Sequence, residues 1–160
     1  MIFVTLGSQK FQFNRLLKKL DDIVKNGNIK DEIFAQIGYS NYKPKNYQYK
    51  EFMDREEFKQ MMEKSDIIIA HGGTGAIITA VKQGKKVIAV PRLAKYGEHV
   101  DDHQIQLVTE FENSGIISAV YDLENLESEL LNIHEKKFRS YKSNTDNIIE
   151  SIEKFIEGMK

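Results

Sequence analysis

The chain has 160 residues, 23 basic against 24 acidic side chains, a formal net charge of −1 and no cysteine. That length suits one domain burying roughly 70% of its unfolded surface without cross-links. The balanced charge argues against a bulk nucleic-acid binder, and the missing cysteines exclude a disulfide framework and any thiolate metal site.

In chain order, "IFVTL" (2–6) is continuous and apolar, which predicts a buried strand rather than a half-exposed one. The opening "MIFVTLGSQK" carries an apolar run too short for a secretory signal, with no basic residue before it. "FNRLLKKLDDIV" (13–24) places Phe13, Leu16, Leu17, Leu20, Ile23 and Val24 at helical spacing, and Asn26-Gly27 stops that helix. "EIFAQIG" (32–38) predicts a second strand and "YQYKEFM" (47–53) a short third. Between them "YSNYKPKNYQYK" (39–50) reads as the one loose region, polar and aromatic around Pro44. Its tyrosines between lysines also fit a single-stranded nucleic-acid contact, but an exposed loop and edge strand explain them as well. "REEFKQMMEKS" (55–65) predicts a helix, "DIIIA" (66–70) a strand, and a further helix runs to about Gln83 with Gly84 at its end. "KVIAVP" (86–91), "VDDHQIQLVTEFENSG" (100–115) and "IISAVY" (116–121) continue the pattern as strand, helix and strand, and two helices follow at about 123–133 and 141–158. No segment approaches the ~20 apolar residues that cross a bilayer.

Strands separated by helices of this length require crossover connections. The expected fold is therefore α/β, a Rossmann-like parallel sheet with helices on both faces, in a single domain over 1–160.

The stretch "SDIIIAHGGTGAII" (65–78) runs from a buried strand into His71-Gly72-Gly73-Thr74-Gly75 and then a helix. Ligands in open parallel sheets bind at the carboxyl ends of the strands. A helix start offers unpaired N–H groups and the positive end of its dipole, which suits phosphate. Glycine lets an anion approach the backbone, and His71 and Thr74 add hydrogen bonds. The competing reading is a tight turn with a structural histidine. Neither G-x-x-x-x-G-K-[ST] nor G-x-G-x-x-G is present, so a P-loop and a dinucleotide-dependent oxidoreductase are not expected.

"PRLAKYGEHVDDHQ" (91–104) lies at the end of the next strand. His99 and His103 stand four apart beside Asp101 and Asp102, but no third clear ligand completes a metal set, and Asp102 also fits a helix cap. Arg92 and Lys95 are available to phosphate, or belong to an ordinary solvated loop.

Together "MIFVTLGSQKFQFNRL", "HGG" and "PRLAKYGEHVDDHQ" resemble the donor-nucleotide half of a GT-B glycosyltransferase. The similarity is to the C-terminal domain shared with the bacterial lipid II-forming GlcNAc transferase. It is closer still to the small catalytic subunit of the dolichol-linked UDP-GlcNAc transferase and its bacterial capsule and exopolysaccharide homologues. The resemblance covers nearly the whole chain. It implies that Gly7, Ser8, His71, Gly72, Gly73, Thr74, Gly75 and Arg92 face the donor's diphosphate and nucleotide. It implies that Glu98, His99, Asp102, His103 and Gln104 face the donor sugar. Glu98 and His99 are also the candidate general bases. Many members carry a glutamate for the ribose hydroxyls where this chain has Thr79, which hydrogen-bonds a hydroxyl without a charged, bidentate acceptor.

The implied function is the donor-binding catalytic subunit of a two-component, inverting hexosyltransferase, with UDP-galactose or UDP-GlcNAc as donor and no cofactor or metal. The acceptor would be a lipid-linked sugar of capsular or exopolysaccharide synthesis. A membrane-associated subunit would supply the acceptor domain and recruit the cytoplasmic chain to the inner face of the membrane, with no nucleic acid involved. The alternative is a non-catalytic enhancer subunit that stabilises another glycosyltransferase chain. A UDP-sugar epimerase or hydrolase is a third reading, which the length of one domain disfavours.

Overall fold

The computed structural model describes residues 1–139. Six parallel strands form one sheet: β1 (Ile2–Thr5), β2 (Ile33–Gln36), β3 (Gln48–Lys50), β4 (Ile67–His71), β5 (Lys86–Val90) and β6 (Ser118–Ala119). Their order across the sheet is β3-β2-β1-β4-β5-β6. β1 is flanked in register by β2 (Val4 beside Ala35) and β4 (Val4 beside Ile69). The helices are α1 (Asn14–Asn26), α2 (Arg55–Lys64), α3 (Thr74–Lys82), α4 (His103–Asn113) and α5 (Leu126–Asn132). The predicted last helix, 141–158, lies outside the described residues.

Alternation along the central strands explains why they read as unbroken apolar runs. Ile2, Val4, Ile67 and Ile69 point to a core built with Leu16, Leu17, Leu20 and Ile23 of α1 and Leu126 and Leu130 of α5. Phe3, Ile68 and Ala70 point to the opposite core, closed by Met62 of α2, Ile77, Ala80 and Val81 of α3, and Val108 and Phe111 of α4. Both faces of the central strands β1, β4 and β5 are covered, so polar residues appear in them only at the strand ends, Thr5, His71 and Lys86.

The helix ends follow local chemistry. Gly27 takes the left-handed conformation (φ 78°) that closes α1. Asp54 caps α2 by accepting the Glu57 N–H. α4 begins at His103 rather than Val100, because the carboxylates before it capture backbone amides: Asp101 accepts from His103 N–H at 3.0 Å and Asp102 from Ala94 N–H at 2.9 Å. β6 is shorter than the predicted 116–121, since Ile116 and Ile117 pack into the second core.

The segment expected to be loose is tied down. Asp21, 3% exposed, accepts hydrogen bonds from the Lys45 and Asn46 amides and from the Tyr42 hydroxyl. Asn14 Oδ1 accepts from the Asn41 and Tyr42 amides. Burial alone would raise the Asp21 carboxyl, but the Tyr42 hydroxyl and the two amides hold it below its ordinary value. The same hydrogen bond, with burial, pushes the Tyr42 hydroxyl up to about 12.

Candidate functional site

The chain leaves β1 toward β2 on one side of the sheet, while β4 takes up the other side, so the loops after β1 and β4 diverge. A cleft of about 520 Å³ opens between them. This is the switch point where open α/β sheets bind ligands. Its walls include Gly7 and Ser8 after β1, His71 at the end of β4, and Gly73, Thr74 and Gly75 at the start of α3. Gln9, Asp54 and Arg55 also line it.

His71 is 6% exposed. Its Nδ1 accepts the Gly73 N–H at 3.1 Å and lies 3.3 Å from Gln104 Nε2. Nε2 bonds to no described residue. A Cβ on Gly73 would stand 2.2 Å from His71 Cε1, and one on Gly7 would stand 2.8 Å from Nε2. The imidazole is thus clasped between two glycines. Gly7 needs to be glycine on a second count, its φ of 72°. Burial, and then the nearby Arg92 cation, pull the imidazole down to about 3, so it is uncharged at neutral pH.

α3 starts without a side-chain cap, its N-cap being Gly73. The N–H groups of its first turn therefore face the cleft with no side chain to satisfy them. A Cβ on Gly75 would meet nothing within 4 Å. The glycines of this turn divide by role. Gly72 and Gly73 make room for protein side chains, and Gly75 leaves space at the cleft. Backbone approach by an anion was the expected reason for all of them; at Gly72 and Gly73 close packing against Gln104 and His71 requires glycine as well.

The second loop turns inward. Arg92, expected to face phosphate, is 1% exposed. Its Nη1 donates to the Phe11, Gln12 and Glu98 carbonyls and its Nη2 to the Leu6 carbonyl at 2.6 Å. The guanidinium also lies 5.2 Å over the Phe13 ring. Glu98, expected at the sugar or as a base, is fully buried and holds Arg15 through both carboxylate oxygens at 3.0 Å. Gln104, also expected at the sugar, is 4% exposed; its Oε1 accepts from Gly72 N–H at 3.0 Å and Arg92 N–H at 2.9 Å. These three side chains brace the loops after β1, β4 and β5 against one another, while Arg92 Nε keeps no partner among the described residues.

The remaining expected residues lie outside the cleft wall. His99, 17% exposed at its side chain, stacks on Phe11 at 5.4 Å; its Nδ1 is 3.2 Å from Asp101 Oδ1 but is not angled for a hydrogen bond. His103 is half exposed, 3.7 Å from the other Asp101 oxygen. Asp102 is exposed, with one oxygen on Ala94. Lys95 is exposed, with its Nζ 5.0 Å over the Tyr96 ring. Thr79 is exposed on α3 and its hydroxyl donates to the Gly75 carbonyl at 2.8 Å. Among the described residues no cluster of three or more His, Asp or Glu side chains converges as a metal set.

Sequence reasoning missed Asp54 and Arg55 on the cleft wall. A signal was present: "DREE" is a capped helix start directly after a strand, hence at the same carboxyl edge as the glycine turn.

The strand order, with helices on both faces and a cleft at the switch point, defines a Rossmann-like fold, the form taken by the C-terminal half of GT-B glycosyltransferases. The chain belongs to the glycosyltransferase family 28 C-terminal domain family, whose model matches residues 1–159. Its fold is similar to that of Acinetobacter baumannii MurG (TM-score 0.57, 16% identity, covering 94% of this chain and 49% of that one). It is also similar to a glycosyltransferase of kitacinnamycin (0.56, 12%, covering 99% and 40%) and to the glycosyltransferase SnogD from Streptomyces nogalater (0.52, 20%, covering 98% and 42%). This chain therefore spans under half the length of each of these proteins. No curated protein matches it in sequence. Among the described residues no helix is long and apolar enough to cross a membrane.

Proposed function

We propose that this chain is the donor-binding catalytic subunit of a two-component inverting glycosyltransferase. It binds a UDP-hexose, with the diphosphate between the Gly7-Ser8 loop and the α3 N-terminus. The observation that carries this reading is the joint aim of His71 Nε2 and the uncapped α3 N–H groups at one cleft. An anion there gains hydrogen bonds and the helix dipole together. Arg55, an exposed cation on the same wall, adds charge complementarity.

In the transfer, an acceptor hydroxyl attacks C1 of the donor sugar from the face opposite the phosphate. The C1–O bond breaks, UDP departs with the bonding pair, and a general base takes the hydroxyl proton. This chain's contribution is to stabilise the charge that develops on UDP. Of the two candidate bases, Glu98 is sealed beneath Arg15, which leaves His99 on this chain or a group on the partner. A GT-B site needs a second domain across the cleft for the acceptor. A membrane-associated partner carrying that domain, and a lipid-linked sugar of capsular or exopolysaccharide synthesis as acceptor, complete the proposal. The test is a transfer assay across UDP-sugars with the chain alone and with its partner, alongside calorimetry of UDP binding. Turnover requiring both chains, with UDP held by this one, is expected. Absence of UDP binding would overturn the donor assignment, and full turnover by the isolated chain would overturn the two-component one.

A further inference from the structure

We propose that Gln104 is a positioning residue that fixes His71 as the tautomer carrying its proton on Nε2, so that the imidazole presents a hydrogen-bond donor to the cleft. A backbone N–H can only donate. Two of them, from Gly72 and Arg92, converge on one end of the Gln104 amide at 3.0 and 2.9 Å, so that end is the oxygen. The NH₂ end is thereby turned to His71 Nδ1 at 3.3 Å. A third backbone donor, Gly73 N–H, also points at Nδ1, at 3.1 Å. With donors on that side alone, Nδ1 holds its lone pair and the proton sits on Nε2, beside Gly7 and Gly73 at the cleft. The arrangement is built in rather than incidental. Gln104 is 4% exposed, and a Cβ on Gly72 would come within 2.6 Å of Gln104 Cβ, so glycine at that position keeps the amide seated.

The charged groups facing this pair fit the same state. Arg92 is the cation next to His71, with its guanidinium turned away onto carbonyls, and His99 is the other group whose charge acts on the imidazole, also against a second proton. The Glu98 carboxylate is occupied by Arg15 and Leu93 N–H. No described carboxylate hydrogen-bonds the imidazole, so nothing stabilises a second proton on it. In this state His71 acts on an anionic oxygen as a fixed dipole, neither as a base nor as a cation. That role rests on the diphosphate reading of the cleft, whereas the tautomer itself does not.

The experiment is long-range ¹H–¹⁵N NMR of the histidine-labelled chain, free of ligand, from pH 5.5 to 8. The expected result is one His71 species throughout, with Nε2 protonated and Nδ1 not. Gln104→Glu keeps an acceptor for Gly72 and Arg92 but sets a second carboxylate oxygen against Nδ1. In that variant a proton should appear on Nδ1 and the His71 titration should move up into the observed range. Gln104→Met keeps side-chain volume and removes the amide, leaving the Gly73 N–H as the one described donor at Nδ1, so a minor Nδ1-protonated population should appear beside the native one, which covers the case in which Gln104→Glu does not fold. A proton on Nδ1 in the native chain, or an unchanged His71 signature in the folded variants, would overturn the proposal. Affinity for a UDP-hexose, whose esterified diphosphate does not titrate over this range, should in parallel change by no more than about twofold in the native chain and track His71 in Gln104→Glu. Failure of the native chain to bind UDP would overturn the diphosphate reading and leave the tautomer result standing.

Discussion

Arg15 and Glu98 form a two-bonded ion pair, both contacts at 3.0 Å, although 83 residues separate them. Glu98 has no exposed surface, while Arg15 keeps part of its side chain at the solvent. The pair locks α1 to the loop after β5, and the same carboxylate also accepts the Leu93 N–H. Glu98→Ala should therefore unfold more easily, by about 3 kcal/mol in urea, because it strands the Arg15 and Leu93 donors. Loss of transfer without loss of stability would instead place Glu98 in the chemistry.

Gly73→Ala and Gly75→Ala should part company. At Gly73 the new methyl falls 2.2 Å from the His71 ring, so the imidazole must leave its seat and UDP affinity should drop at least about tenfold. At Gly75 the methyl meets no protein atom, and a helical alanine should stabilise the chain by up to about 1 kcal/mol. Any affinity lost there reports the ligand's own need for space. Melting curves and calorimetry on the two variants check both statements.

His71 predicts a definite sign of pH dependence. The unfolded chain binds a proton below about 6.5, whereas the folded imidazole, buried and beside Arg92, resists it down to about 3. Between those values the unfolded state holds more protons, so stability should fall as pH falls through the window. Urea unfolding across pH 3.5–7 should show this component in the native chain and lack it in His71→Asn.

Arg55→Ala should weaken UDP binding by about 1 kcal/mol, roughly fivefold, with folding stability unchanged within about 0.5 kcal/mol. The side chain is exposed and lines the cleft, so its effect should appear in the binding isotherm and shrink at high salt.

Asp21→Ala should free the segment from Tyr42 to Asn46. It removes the acceptor for two backbone amides and the Tyr42 hydroxyl, a loss of about 2–3 kcal/mol. Hydrogen exchange at Lys45 and Asn46 should accelerate well beyond the global change.

The architecture was legible because it is written in short-range patterns. Continuous β-branched runs such as "DIIIA" mark strands buried on both faces, the spacing of Leu16, Leu20 and Ile23 marks one helix face, and Gly27 and Gly84 mark helix ends. The glycine turn announced its own position at a strand's carboxyl edge for the same reason. What the pattern could not convey was where polar side chains of "PRLAKYGEHVDDHQ" would point. Arg92, Glu98 and Gln104 have the chemistry of ligand contacts, and on sequence alone a guanidinium bound for phosphate looks the same as one bound for carbonyls.

The sequence by itself determined the α/β class, the crossover pattern and the strand end at which a site would form, since each follows from periodicity and turn chemistry within about a dozen residues. Only the tertiary structure decided which residues face the cleft. Arg92 reaches the Leu6 carbonyl across 86 positions of sequence and Gln104 reaches His71 across 33. A buried polar group takes whatever partner the packed neighbours supply, because leaving it unpaired costs more than any local preference can offset.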